Sequence, residues 1–347
     1  MELRPFGRTG LNVSAMGFGT WPMSGDRYGY IEDAEAIRAI HRSLDAGVNC
    51  VDTAPGYGSG HSEEVVGEAL KGRRSGVILV TKCAIYWDAE RNIGGRDASR
   101  ANVHREVDLS LQRLQTDVID VWLCHWPDPK TPFEETAAAM DEVVKAGKVR
   151  FVGVSNFTVD MMKQFMKVRR IDVIQVGYHM FDRRMEQEIF PFCLENGIGV
   201  MGYGSLGHGL LTGAFTPEHQ FEAADWRARG IAFGQPILGG ENFRKNVAVV
   251  ERLKAEVAAP LGVPVSQVAL AWVLRNPAVS VALVGARNPG EVDQNLAGVE
   301  LKLGEADMAK INSIMAGASG MHSVFTPFRQ AGELWAEEQP IEVPARA

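Results

Sequence analysis

Short apolar runs alternate with segments in which apolar residues return every third or fourth position, from about Met16 to Asn295. The first pattern predicts β-strands and the second amphipathic helices. The candidate strands are Met16–Thr20, Val48–Asp52, Val77–Lys82, Val118–Leu123, Arg150–Val154, Val173–Val176, Gly199–Tyr203 and Val279–Val284. Helical candidates between them are Ala34–Ala46, Ser62–Leu70, Ser99–Leu114, Phe133–Ala146, Val159–Val168, Met185–Glu195 and Val265–Leu274, most of them ended by Pro or Gly. Alternation of this kind is the mark of parallel strands joined by crossover helices. Eight such units fit an α/β fold of the closed (β/α)₈ TIM-barrel type better than an open sheet.

Two segments break the repeat. Leu3–Val13 carries Gly7, Gly10 and Asn12 between short apolar groups, which predicts an N-terminal β-hairpin closing the barrel bottom. The connection from Tyr203 to Val265 is too long for an ordinary strand-to-helix loop, and within it Phe243–Ala258 reads as an extra helix. Residues 1–315 are expected to form one barrel domain, and 316–347, without periodicity, an irregular C-terminal tail.

At 347 residues and 46% hydrophobic content the chain can bury a large core. A net charge of -7 without a strong basic stretch argues against binding a phosphate backbone, so nucleic acid is not an expected partner. The N-terminus lacks an apolar signal-peptide core and no apolar run approaches a membrane span, which predicts a cytoplasmic protein with no membrane partner. The wide spacing of Cys50, Cys83, Cys124 and Cys193 argues against a disulfide framework. The eight histidines include no HExxH pair, and no metal is expected.

Chemistry enters at the ends of the strands. Asp52, Lys82 and His125 each end or follow a separate apolar run, and Tyr57 lies in the glycine-flanked loop after Asp52. A barrel gathers its catalytic groups on that face. A tyrosine is a poor acid near neutrality; a neighbouring ammonium would lower its pKa, and a buried carboxylate would hold that ammonium in place. A histidine beside the same oxygen can orient a carbonyl or assist proton movement. Taken singly, each residue also has a structural reading: a turn cap for Asp52, packing for Tyr57, a snorkelling Lys82, a satisfied loop residue for His125.

The local sequences are more specific. Asp52-Thr53-Ala54-Pro55-Gly56-Tyr57-Gly58 followed by Ser62-Glu63 resembles the D-T-A-x-x-Y-G motif of the aldo-keto reductases. Leu111-Gln112-Arg113-Leu114-Gln115-Thr116-Asp117-Val118-Ile119-Asp120, leading to His125 and Pro127, resembles a second motif of that family, with Val118 in place of its common Tyr. Gly153-Val154-Ser155-Asn156-Phe157 resembles a third. The resemblance spans roughly Leu3 to Asn312 and is strongest to bacterial members similar to inositol-cluster and general stress proteins, on the pattern around Phe243-Arg244-Lys245-Asn246.

The resemblance implies a nicotinamide cofactor and a role for each matching position. Gly202-Tyr203-Gly204-Ser205-Leu206-Gly207 fits G-x-G-x-x-G but leads into a long loop instead of opening a helix, so a Rossmann reading is rejected. In the family this region carries an aromatic that stacks on nicotinamide, here Tyr203, and backbone that holds pyrophosphate, here Gly204, Ser205, Leu206 and Gly209. Ser155, Asn156 and Gln175 are implied to bind the carboxamide, with a strand polar group paired to backbone as the plain alternative for Gln175. Gly285, Arg287, Gln294 and Asn295 mark the adenosine end, the last two expected at the start of a loop-helix unit. Arg287 favours NADP(H) through its planar fork, while Glu291, where relatives usually carry Gln or Arg, leaves NAD(H) open. Trp21, Trp87 and Trp126 are candidate substrate contacts, with core packing as the alternative.

The resemblance therefore implies an NADP(H)-dependent oxidoreductase acting on a small carbonyl or alcohol, whether aldehyde, ketone, sugar or polyol, with Tyr57 as general acid and base. A cofactor-binding regulatory protein similar to potassium-channel β-subunits is the alternative, and a lyase or isomerase using Lys82 as a Schiff-base nucleophile a third reading.

Overall fold

The computed structural model describes residues 1–24, 31–88, 93–223 and 225–325. Its strands in chain order are β1 (Leu3–Pro5), β2 (Asn12–Ser14), β3 (Met16–Gly19), β4 (Cys50–Asp52), β5 (Ile78–Cys83), β6 (Ile85–Asp88), β7 (Ile93–Arg96), β8 (Ile119–Cys124), β9 (Val149–Ser155), β10 (Val173–Gly177), β11 (Gly199–Tyr203) and β12 (Val279–Val284). Eight of these close a parallel barrel in the order β3-β4-β5-β8-β9-β10-β11-β12, with β12 returning to β3. The barrel strands are those the apolar runs predict, and the fold is the (β/α)₈ TIM barrel.

Strand periodicity decides which side chains enter the barrel. Cys50, Ile78, Val80, Val121, Leu123, Val173, Met201, Val281 and Leu283 form one interior cluster, whereas Val51, Leu79, Trp122, Ile174 and Val200 join the outer core beneath the helices. Continuing the inward set by one step of two along each strand reaches Asp52 after Cys50, Lys82 after Val80, Gln175 after Val173 and Tyr203 after Met201. The C-terminal mouth therefore receives its polar groups by the same alternation that fills the interior with apolar ones. Gly153 shows how tightly the wall is built, since a Cβ there would lie 2.0 Å from the Val173 carbonyl oxygen.

The opposite end is stoppered by the N-terminal hairpin, in which β1 and β2 pair antiparallel. Phe6 is fully buried in the barrel interior with Val13. Gly7 has φ +58°, and a Cβ there would come within 2.4 Å of the Gly199 nitrogen, so only glycine permits this approach. Arg4 Nη1 donates to the carbonyls of Leu274 and Val279, both at 3.0 Å, fastening the hairpin to the last strand-helix unit.

Helices Asp33–Asp45, His61–Ala69, Arg100–Leu114, Phe133–Lys145, Val159–Met166, Ile189–Asn196 and Val265–Arg275 cover the barrel as their spacing predicts. Side chains cap several N-termini: Ser99 accepts from Asn102 N and Thr158 from Met161 N. The predicted extra helix runs Gly240–Leu253 and continues through a π-turn, Lys254–Ala258. The β6–β7 hairpin after β5 and helix Glu305–Met315 lie outside the sequence expectation, and the helix expected to begin near Gln294 runs Pro289–Glu300. Gln294 and Asn295 thus sit in the middle of a helix, not at its start. Residues 316–325 carry no helix or strand, and the remainder of the expected tail, 326–347, lies outside the described residues. Among the described residues no single helix is long and apolar enough to cross a bilayer, and all four cysteines are free and buried.

Candidate active site

Asp52 and Lys82 meet inside the mouth. Lys82 Nζ donates to both Asp52 carboxylate oxygens at 2.9 Å, to the Thr53 carbonyl at 2.8 Å and to Tyr57 Oη at 3.3 Å. Lys82 is fully buried and Asp52 nearly so. Gln175 Nε2 donates to Asp52 Oδ1 at 2.8 Å, so this amide serves the carboxylate. The ammonium also lies 4.9 Å from the Tyr57 ring centre, and the His125 ring meets that ring edge-on at 5.8 Å. All four residues expected at the strand ends therefore come together at one point.

The family-like motifs hold this point in place. Thr20, Thr53 and Ser62 share hydroxyl hydrogen bonds at 2.7 and 3.0 Å across the β3, β4 and helix His61–Ala69 junction. Glu63 accepts from Thr81 Oγ1, the residue before Lys82, and from Arg113 Nε, both at 2.6 Å. The Ser62-Glu63 and Arg113 matches are thus two halves of one brace behind Lys82.

Burial sets the protonation states. It pushes the Asp52 carboxyl up and the Lys82 ammonium down, and their mutual contact opposes both changes. The Tyr57 phenol is held well above its ordinary value, first by burial and then by the Asp52 charge. This corrects the expectation that Lys82 would lower it: the ammonium is already engaged with a carboxylate and a carbonyl, so the phenol stays protonated. Burial, with Lys82 and Arg96 nearby, holds His125 well below its ordinary value, giving a neutral imidazole. Its Nδ1 is buried with no hydrogen-bond partner among the described residues.

Beside these four, Asn156 takes a left-handed conformation, φ +62°. Its Nδ2 donates to the His125 carbonyl at 3.1 Å and to Ser155 Oγ at 3.0 Å, and its Oδ1 accepts from Tyr203 Oη at 2.8 Å. Beyond β11, Gly204 and Gly209 take φ +69° and +104°, and a Cβ at Gly204 would meet the His208 ring at 2.8 Å. Ser205 Oγ donates to the Gly202 and Leu283 carbonyls at 3.3 and 3.1 Å, so its hydroxyl joins the ends of β11 and β12. Leu206 packs partly buried against the core. Gly285 lies against Pro22, which a Cβ would meet at 2.5 Å, and its carbonyl accepts from Asn295 Nδ2 at 3.4 Å. Gln294 is exposed.

Arg287 is already occupied. Its Nε and Nη2 donate to Glu291 Oε1 at 3.0 and 2.7 Å, and its backbone N–H donates to Glu291 Oε2 at 2.8 Å. Trp21 stacks on Tyr57 at 6.2 Å, and Trp126 is buried beneath the Arg96 guanidinium at 4.9 Å. Trp87 falls on β6, and its side chain is outside the described residues.

Sequence reasoning missed Arg96 and the aromatic residues of the long connection, Trp226 and Phe233. The length of that connection was the only signal pointing to them. Inward amides, an aromatic ring at a strand end and a turn kept open by positive-φ glycines suit a nicotinamide dinucleotide lying along the mouth.

A profile of the Aldo/keto reductase family matches residues 15–316, from the first barrel strand to the end of the last helix, and the chain belongs to that family of oxidoreductases. It is 40% identical over 317 residues to aldo-keto reductase YhdN of Bacillus subtilis, covering 91% of this chain and 94% of that one. It is 35% identical to the NADH-specific methylglyoxal reductase of Escherichia coli, covering 88% and 96%. The glycerol dehydrogenase of Gluconobacter oxydans superposes with a TM-score of 0.83 at 33% identity, covering 93% and 98%.

Proposed function

We propose that the protein interconverts carbonyls and alcohols, moving hydride between NAD(P)(H) and a small aldehyde, ketone, sugar or polyol, with Tyr57 as the proton donor. The observation that carries this reading is Lys82 Nζ standing between Asp52 and Tyr57 Oη inside the barrel mouth. A bound nicotinamide supplies the hydride. Tyr57, protonated at neutral pH, gives its proton to the substrate oxygen as that oxygen becomes an alkoxide. The Lys82 ammonium then meets the charge appearing on the phenol, an interaction stronger in the transition state than before it. His125, neutral and with a ring nitrogen unsatisfied among the described residues, orients the same oxygen. In the alcohol direction the phenol must first lose its proton, which slows that direction at neutral pH.

Ser155 and Asn156 would hold the carboxamide, Tyr203 would exchange its Asn156 bond for the nicotinamide ring, and the backbone of Gly204, Ser205, Leu206 and Gly209 would take the pyrophosphate. Gly285, Arg287 and Asn295 would form the adenosine end. Arg287 remains the group suited to a 2′-phosphate, but Glu291 competes for it, so NADH is accepted alongside NADPH. The name of the Escherichia coli relative agrees with such use of NADH. Trp21 and Trp126 would face the substrate carbon skeleton, and the site of action would be cytoplasmic. The test is oxidation of NADH and NADPH with methylglyoxal, propanal and aldoses, and reduction of both oxidised cofactors with glycerol. Turnover in either direction supports the reading; a protein that binds cofactor but transfers hydride to none of these refutes it.

A further inference from the structure

The connection between β11 and helix Gly240–Leu253 contains a tight turn, Ala232 to Gln235, closed by Ala232 N–H to Gln235 O at 2.8 Å and Gln235 N–H to Ala232 O at 2.9 Å. Its central residues both have positive φ, Phe233 at +45° and Gly234 at +82°. Glycine takes that conformation freely, but a bulky aromatic does not, and such strain persists only where surrounding contacts impose it. Those contacts are present. Arg184 Nη2 donates to the Phe233 carbonyl at 3.0 Å, while Arg184 is itself held by a buried pair with Asp182 through bonds of 2.8 and 2.6 Å. Gln235 donates to the Phe181 carbonyl at 3.2 Å and accepts from the His322 N–H at 2.5 Å.

The strained tip delivers its ring to the mouth. The Phe233 ring lies parallel to Trp126 (7°, 6.2 Å between centres) and edge-on to Trp21 at 5.9 Å and Tyr203 at 5.2 Å. Trp21 in turn stacks on Tyr57. At these spacings no second aromatic ring fits between Phe233 and its neighbours. We propose that Phe233 is the specificity-determining wall of the substrate mouth, admitting carbonyls with short, narrow substituents and excluding aryl and branched ones. This rests on the reading of the mouth as a carbonyl-reducing site.

The test compares propanal with benzaldehyde in the unaltered protein, in Phe233→Gly, which removes the ring and suits the positive φ, and in Phe233→Trp, which keeps a wall. Cofactor binding is followed by quenching of tryptophan fluorescence, and folding by thermal melting. Phe233→Gly should raise the benzaldehyde-to-propanal ratio of kcat/KM at least about tenfold, the scale on which apolar pockets discriminate, while Phe233→Trp stays at the original ratio. An unchanged ratio in folded, cofactor-binding Phe233→Gly, beside an active original, refutes the wall and leaves the site reading intact. An original protein that binds cofactor yet reduces neither aldehyde refutes the site reading and the wall with it.

Discussion

Glu291→Gln separates the two cofactors. In the native protein the Glu291 carboxylate holds both the guanidinium and the backbone N–H of Arg287 at 2.7 to 3.0 Å, and the Arg287 side chain is 60% exposed. An exposed ion pair of this kind, between the loop before the helix and its first turn, contributes at most about 1 kcal/mol, so opening it hinders a ligand little. The larger effect is repulsion. A carboxylate about 5 Å from one unit of phosphate charge opposes it by about 1 kcal/mol in water-like surroundings and about 3 kcal/mol at the effective dielectric of a protein surface. Glutamine removes that charge and can still accept from the Arg287 backbone N–H. We expect the Kd for NADPH to fall about tenfold, equivalent to about 1.4 kcal/mol, with the Kd for NADH nearly unchanged and the gain shrinking as salt is raised. Arg287→Ala should do the reverse, weakening NADPH more than NADH. Fluorescence titration of both cofactors at low and high salt measures this, and an equal shift for the two cofactors, or none for NADPH, would refute the electrostatic account.

Tyr57→Phe should lower turnover by roughly 10²- to 10⁴-fold, the usual contribution of a positioned acid, while cofactor titration stays unchanged; retained turnover would exclude Tyr57 as the donor. Lys82→Met should abolish turnover and also cost about 3 to 5 kcal/mol of stability, because Asp52 is left buried without its cation, and denaturant unfolding reads the second effect separately. Burial pushes the Glu106 carboxyl up to about 7, although it accepts from the Ala84 N–H at 2.7 Å. Its ionisation therefore destabilises the fold: stability is full below the unfolded pKa and is lost as pH rises through the folded one. Glu106→Gln should raise Tm near about pH 8, by up to about 3 kcal/mol in stability, and leave it unchanged near about pH 4; an equal change at both would show that packing, not charge, is responsible.

The barrel was legible because its strands obey a period of two and end in polar residues. Ile78-Leu79-Val80-Thr81-Lys82 already places Lys82 on the same side as Val80, and the structure finds it there. Helix Glu305–Met315 also carries a signal, Ile311, Ile314 and Met315 at helical spacing and buried, but that apolar set is too short to stand out from the sequence around it. The β6–β7 hairpin was hidden by glycines within its second strand. The state of Tyr57 required coordinates, because the sequence shows a lysine near a tyrosine but not that a carboxylate and a carbonyl already claim its ammonium. Phe233 was beyond reach for a different reason: its local preference opposes the backbone it adopts, so only distant partners such as Arg184 reveal it.

The hairpin that corks the barrel floor sets an order on assembly. Phe6 leaves the ribosome well before its resting place against Gly199, and the carbonyls of Leu274 and Val279 that fasten Arg4, have been synthesised. Loop closure over such separations is slow. The β1–β2 hairpin must wait, undocked, for β12, and the interior that keeps Lys82 and Asp52 buried and paired is completed only when hairpin and strand meet.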